Sequence, residues 1–264
     1  MILAASPWWT TVPSLGAALG YAVLAGWSAQ LGRTATSVLM AAVWLLHGAA
    51  LVSLLGIEPA RFGFATTLSV TAWLVFSVYS IETRLYPQLG TRWTLAGLGA
   101  PAVVLALIFP GSTYPALQSP WLPLHWALGI ASYGLLGVAV AHAWMMQRTE
   151  LLIRQGQTAR DALPLLALER LTFRFVGAAF VLLTLTLLAG WYFTTAVPAH
   201  GWAWTHKTVF TLLSWLALGV LLGGRRLWGW RGKLAVRMLY TAAGLLLLGY
   251  VGSRFVLEVV LLRS

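Results

Sequence analysis

The chain contains no cysteine. That absence excludes a disulfide framework, a thiol redox centre and any zinc or iron–sulfur site held by thiolates. A metal bound here must be held by nitrogen, oxygen or methionine sulfur. Charge is scarce too: 9% of the 264 residues are Asp, Glu, Lys or Arg, and only 6 are acidic. An ordinary soluble domain carries about a quarter charged residues, and this few cannot solvate the surface of a globule of this length. A bilayer asks for none on the surface facing its lipid. The lack of carboxylate clusters disfavours calcium, magnesium and carboxylate-rich metal sites. With no paired carboxylates, nucleophile–base constellation or phosphate-binding loop in view, no stand-alone enzyme activity is expected. What is present is apolar, at 59% hydrophobic residues and a mean hydropathy of +0.81. The expected fold class is an all-α polytopic membrane helix bundle, one integral membrane domain over residues 1–264.

Apolar runs long enough to cross about 30 Å of hydrocarbon fall near residues 15–30, 37–57, 64–81, 93–109, 125–146, 173–197, 208–223 and 236–257. They predict eight transmembrane helices, the first a retained helix rather than a cleaved signal. Of the 17 Lys and Arg residues, thirteen lie in the loops after the first, third, fifth and seventh runs. Basic loops stay cytoplasmic, so both termini are expected on the outer, periplasmic side of a bacterial cytoplasmic membrane. The net charge of +11 is therefore spread over loops, not gathered as a nucleic-acid patch, and the expected environment is the lipid bilayer. Trp8, Trp9, Trp121, Trp202 and Trp204 then fall at the outer interface and Trp228 and Trp230 at the inner one, as an aromatic belt would. The longest connection, 147–172, predicts a short helix with Asp161 as N-cap, Pro164 in its first turn, and Leu165, Leu168 and Leu171 on one face. It reads as lying flat on the membrane, or as a docking segment for a cytosolic partner.

Ionisable side chains inside a membrane are expensive and usually functional, which singles out the histidines. His47 lies midway along the second run, either a neutral hydrogen-bonded side chain or a ligand or proton site. His125 opens the fifth run at the outer face. His142 is one helix run further in, about 25 Å away at 1.5 Å per residue, so the two cannot share an ion. His200 and His206 flank Gly201-Trp-Ala-Trp-Thr in an outer loop. Trp202 and Trp204 beside two imidazoles, on the same side as His125, read either as interfacial residues or as an aromatic surface with axial nitrogens at its edge. A flat apolar macrocycle such as haem needs both features, and Lys207 is placed to neutralise a propionate.

Pro115-Ala-Leu-Gln-Ser-Pro-Trp-Leu-Pro-Leu-His125 with Ile130-Ala-Ser-Tyr-Gly, Leu168-Glu-Arg-Leu-Thr-Phe-Arg-Phe-Val-Gly running on to Gly190, and Trp202-Ala-Trp-Thr-His-Lys207 with Ser214-Trp215 occur in that order. Together they resemble the cytochrome c assembly (CcsA/ResC-like) membrane proteins over roughly residues 115–255. Length, span number, Gly229-Trp-Arg-Gly232 and Tyr250-Val-Gly-Ser-Arg254 look closest to the compact inner-membrane branch containing YpjD and HemX. The resemblance implies haem handling or cytochrome c biogenesis at the outer face of the inner membrane. It implies haem b as cofactor, and haem-delivery or apocytochrome c assembly proteins as partners. His125 matches the outer axial histidine, and Trp202, Trp204 and Lys207 match the tryptophan motif. Thr205, His206 and Thr208 replace that motif's Asp, Pro and Glu, and no histidine stands near Tyr250 to Phe255, where a second outer one would fall. These departures point away from a full synthetase and toward haem binding, with His206 or His200 as second iron ligand and His47 on the entry route.

Three other readings stay open on the sequence. One is a non-catalytic regulator or assembly partner of tetrapyrrole synthesis. Another is a small-molecule transporter with His47 and His142 as proton sites, and the last is a di-haem electron carrier.

Overall fold

The computed structural model describes residues 7–27, 30–56, 61–85, 93–113, 121–156, 165–196 and 204–261. Over these the chain forms eight helices: α1 Trp8–Trp27, α2 Arg33–Leu55, α3 Phe64–Leu85, α4 Trp93–Ile108, α5 Trp121–Arg154, α6 Leu165–Ala196, α7 His206–Trp228 and α8 Gly232–Leu247. The helical path of α8 continues through two π-helical turns, Leu248–Gly252 and Val256–Val260, with Ser253–Phe255 between them. Two short antiparallel strands, β1 Arg61–Phe62 and β2 Ser112–Thr113, pair Arg61 with Thr113 and Phe62 with Ser112. The architecture is all-α, as composition and hydropathy require.

Six of the helices are long and apolar enough to cross a membrane: α2, α3, α5, α6, α7 and the run Gly232–Val260. Each of the eight apolar runs expected as a span falls on a helix, but α1 is not among the six, and α4 is a shorter apolar helix over Gly97–Ile108. In lipid every backbone polar group needs a partner within the protein, and helices satisfy that locally. The hydroxyls in these helices follow the same rule by turning back onto the preceding carbonyl. Ser14 bonds to Thr10 O at 2.7 Å, Thr67 to Gly63 O at 2.8 Å, Ser132 to Leu128 O at 2.8 Å and Thr172 to Leu168 O at 2.8 Å.

The separate short helix expected within 147–172 is corrected. Helix α5 extends to Arg154 and α6 already begins at Leu165, so Leu165, Leu168 and Leu171 belong to α6. The physical reason is that apolarity ends where charge begins, whereas helix does not. Glu150 and Arg154 pair across one turn at 2.5 Å, which supports α5 beyond its apolar run. Asp161 and Pro164 lie outside the described residues.

The chain divides into two compact units, one of residues Met1–Leu117 with Arg254–Ser264, the other Gln118–Ser253. In the first, α1 packs on α2 and α4, and α3 packs on α4 and α2. Its core holds Ala17, Tyr21, Leu24, Val43, Phe76 and Val103. Gly20 allows the α1–α2 approach, since a Cβ there would fall 2.2 Å from Cγ2 of Val43. In the second, α5 pairs with α6 and α7 with α8. Its core takes Leu136, Ala139 and Ala143 from α5, Val176 and Leu183 from α6, Leu218 and Leu221 from α7, and Val236, Leu239 and Leu246 from α8. Buried positions on α8 recur as Ala235, Val236, Leu239, Ala242 and Leu246, the single stripe of an amphipathic helix. Polar ties join the same helices: Ser214 Oγ donates to Ala242 O at 2.8 Å, Trp215 Nε1 to Thr184 Oγ1 at 2.8 Å, and Tyr240 Oη to Gln147 Oε1 at 2.9 Å.

Candidate functional site

One end of the second unit gathers the side chains that the sequence singles out. His125 sits one turn into α5, half-buried, with its ring facing α6. There the Thr186 main chain hydrogen-bonds it, and Gly190 lies under its edge. A Cβ on Gly190 would stand 3.3 Å from Cε1 of His125, so the glycine is what gives the imidazole room. The charge of Lys207, at the start of α7, acts on the same ring.

Helix α7 starts where it does because Thr205 is its N-cap: Oγ1 of Thr205 accepts from the main-chain N–H of Thr208 at 3.3 Å. This cap fixes Lys207 in the first turn, and its Nζ lies 5.0 Å from the centre of the Tyr250 ring. Tyr250 belongs to the π-helical turn Leu248–Gly252. Such turns shift the register of side chains and are frequent at functional sites. Its neighbour Gly249 is held close to α7, with Thr211 Oγ1 3.1 Å from where a Cβ would lie. Tyr133 of α5 donates its hydroxyl to the carbonyl of Leu246, so α5, α7 and the end of α8 are tied together directly below the site.

The structure therefore sets Lys207 within electrostatic reach of His125, with Thr186 and Gly190 beside the imidazole and Tyr250 beside the ammonium. Trp204 precedes the N-cap and is 72% exposed, and His206 is exposed in the first turn of α7. His200 and Trp202 lie outside the described residues. Tyr250 is the residue that sequence reasoning missed. It stands in the stretch where a histidine was sought and is absent, and an aromatic ring at that register was the available signal. Gly190 closes one of the quoted motifs, but nothing in the sequence ties it to His125.

His47 is placed in the first unit and is fully buried. Its Nδ1 is 2.9 Å from Tyr21 Oη and its Nε2 is 2.8 Å from Ser69 Oγ. A neutral imidazole has one donor and one acceptor nitrogen, and here both are engaged. The ring thus links α1, α2 and α3, with Tyr21 edge-on at 5.6 Å. His142 is buried on α5 with Phe175 of α6 edge-on at 5.4 Å. Among the described residues no group of three or more His, Asp or Glu side chains is arranged to hold a bare metal ion.

Comparison with known proteins extends beyond the segment that carries the sequence resemblance. The chain is 24% identical over 212 residues to the cytochrome c biogenesis protein CcsA of Chlorella vulgaris, covering 63% of this chain and 65% of that one. It is 29% identical over 253 residues to an uncharacterised 28.8 kDa protein of Azospirillum brasilense, covering 92% and 84%. To the inner membrane protein YpjD of Escherichia coli it is 29% identical over 161 residues, 60% of each chain. It thus spans less than two thirds of the length of the CcsA and YpjD relatives. No solved structure matches it. The family model described as cytochrome C assembly protein matches residues 31–261, nearly the whole chain, and the chain belongs to that family.

Proposed function

We propose that this protein binds haem b at the end of its second unit and takes part in haem handling for cytochrome c biogenesis. The observation that carries the reading is the seating of the His125 ring over Gly190, between α5 and α6, within reach of the charge of Lys207 at the start of α7. An imidazole oriented by a main-chain carbonyl is a suitable iron ligand, because the second bond fixes its tautomer and direction. An ammonium a short distance away suits a propionate, and the exposed Trp204 offers an apolar face for the macrocycle. These residues fit the group, which would supply a redox-active iron porphyrin as cargo or cofactor.

In this reading His125 would hold the haem iron. Trp202, Trp204 and Lys207 receive the macrocycle, and His206 or His200 is the second nitrogen. Gly190 and Thr186 hold the ring of His125 in place. His47 would have to release Tyr21 or Ser69 before it offered a nitrogen to anything, so we assign it to holding the first unit together. The name of the CcsA relatives, cytochrome c biogenesis protein, supports the biological setting. The YpjD relative's name, inner membrane protein, supports a bacterial cytoplasmic membrane. The proposed topology has eight spans with both termini outside, the His125 end facing outward. Apocytochrome c or haem-delivery proteins would meet it there.

The test is a pyridine haemochrome assay with oxidised and reduced spectra on the detergent-purified chain, and on His125→Ala and His206→Ala. Near-stoichiometric haem b that falls in His125→Ala is expected. Absence of haem after reconstitution with hemin, or unchanged binding in both variants, overturns the reading.

A further inference from the structure

The connection between α7 and α8 forms a corner that the haem reading does not use. Five basic residues crowd it, Arg225, Arg226, Arg231, Lys233 and Arg237, with no acidic residue among them in sequence. The corner is firmly built. Gly229 takes φ +66 as the C-cap of α7, a conformation that favours glycine. The N–H groups of both Gly229 and Trp230 are directed at the carbonyl of Gly224. The Trp230 ring lies directly on Gly224, where a Cβ would be 2.3 Å from its Cε3. Trp228 then stacks on Trp230 at 5.8 Å with an interplanar angle of 28°.

One of the five cations is committed to the fold. Arg225 pairs with Glu169 of α6 at 2.5 Å and lies 3.6 Å from the centre of the Phe173 ring. Arg231 reaches the same carboxylate only at 3.7 Å and stays 68% exposed. Arg226, Lys233 and Arg237 are all exposed, and among the described residues none of them has an acidic partner. Between these charges project Leu227, 73% exposed, and Trp228, 70% exposed. Large apolar side chains interleaved with unpaired cations suit neither water nor hydrocarbon alone. They suit the boundary where phosphates lie above acyl chains.

We infer that the α7–α8 corner is a binding site for anionic phospholipid headgroups. Arg226, Arg231, Lys233 and Arg237 take the phosphate while Leu227 and Trp228 enter the acyl boundary beside it. Charge complementarity selects this occupant: three exposed cations without an acidic partner among the described residues, with Arg231 held only at 3.7 Å by Glu169, match a headgroup with net negative charge, and a zwitterionic headgroup brings its own cation to oppose them. The inference rests on the corner's own residues and stands whether or not the other end of the unit binds haem.

The experiment titrates the purified, delipidated 264-residue chain with phosphatidylglycerol or phosphatidylcholine and counts bound lipid by native mass spectrometry. Wild type is expected to retain phosphatidylglycerol roughly tenfold better than phosphatidylcholine, because only the first headgroup carries net negative charge. Arg226→Gln/Lys233→Gln should abolish most of that preference. Arg148→Gln/Arg154→Gln, which removes the same charge from α5, should keep it. Equal retention of the two lipids by wild type, or equal loss in the two double variants, overturns the proposal, the second because net charge alone would then explain the effect. Inorganic phosphate that displaces phosphatidylglycerol at millimolar concentration also overturns it, since the corner would then be a free-anion site. If the Arg226→Gln/Lys233→Gln chain melts lower without lipid, Arg226→Lys/Lys233→Arg decides. Restored preference supports the site, and its absence overturns it.

Discussion

The ammonium of Lys207 lies 5.0 Å from the centre of the Tyr250 ring, and its charge also reaches the imidazole of His125. One side chain thus connects the start of α5, the start of α7 and the π-helical turn that follows α8. A cation over an aromatic face contributes about 0.5–2 kcal/mol, enough to hold the exposed lysine over that ring.

That placement makes Lys207 the expected partner of a haem propionate. A hydrogen bond to a charged group contributes about 1.5–3 kcal/mol, so Lys207→Gln should weaken hemin binding roughly ten- to a hundredfold. Lys207→Arg should retain most of the affinity, because charge and donors remain. Tyr250→Phe keeps the ring under the cation and should bind hemin close to wild type. Hemin titrations followed in the Soret band give all three values. Wild-type affinity in Lys207→Gln would remove the lysine from the site.

Gly190 permits a prediction in which stability and binding move apart. Alanine is a better helix former than glycine by about 1 kcal/mol, so Gly190→Ala should melt no lower than wild type. Its Cβ would nevertheless stand 3.3 Å from Cε1 of His125, and the imidazole must yield by a few tenths of an ångström. A shifted Soret maximum and weaker hemin binding at unchanged melting temperature are expected. Unaltered spectra would mean that the ring orientation at this point does not matter to the ligand.

The helices were legible in the sequence because a bilayer forces long apolar runs. Their ends were not, since the charged turns at Glu150, Arg154 and Glu169 remain helical and hydropathy cannot see that. The β1–β2 pairing joins two-residue segments whose partners lie far apart in sequence, and no local pattern encodes it. The π-helical turns have no composition of their own. His125 and Lys207 were legible as members of motifs. Tyr250 opened a quoted motif too, but its role was not legible, because it depends on a lysine more than forty residues away and on a register shift that only the folded helix makes. His47 stood out as an ionisable residue in an apolar run, but its saturation by Tyr21 and Ser69 requires three helices to be in place.

That saturation gives the sharpest test of the first unit. Tyr21 Oη and Ser69 Oγ occupy the two nitrogens of His47 at 2.9 and 2.8 Å. Removing one partner leaves a buried polar atom unsatisfied, which costs about 1–3 kcal/mol. Tyr21→Phe and Ser69→Ala should each destabilise the chain by about that amount, and His47→Ala by more, since it strands both hydroxyls and opens a cavity. The same bond is exposed to a change on a fourth helix. A Cβ on Gly99 of α4 would lie 2.7 Å from the Tyr21 ring, too close for either group to stay where it is. Gly99→Ala should therefore destabilise despite its gain in helix propensity. Combined with Tyr21→Phe, it should cost less than the two single changes added together, because the hydrogen bond it disturbs is already gone. Thermal melts in detergent, read as a double-mutant cycle, measure that coupling, and hemin stoichiometry measured on the same samples should not change. Strict additivity would show that Gly99 and His47 act independently. A loss of hemin in Tyr21→Phe would assign His47 to the ligand after all.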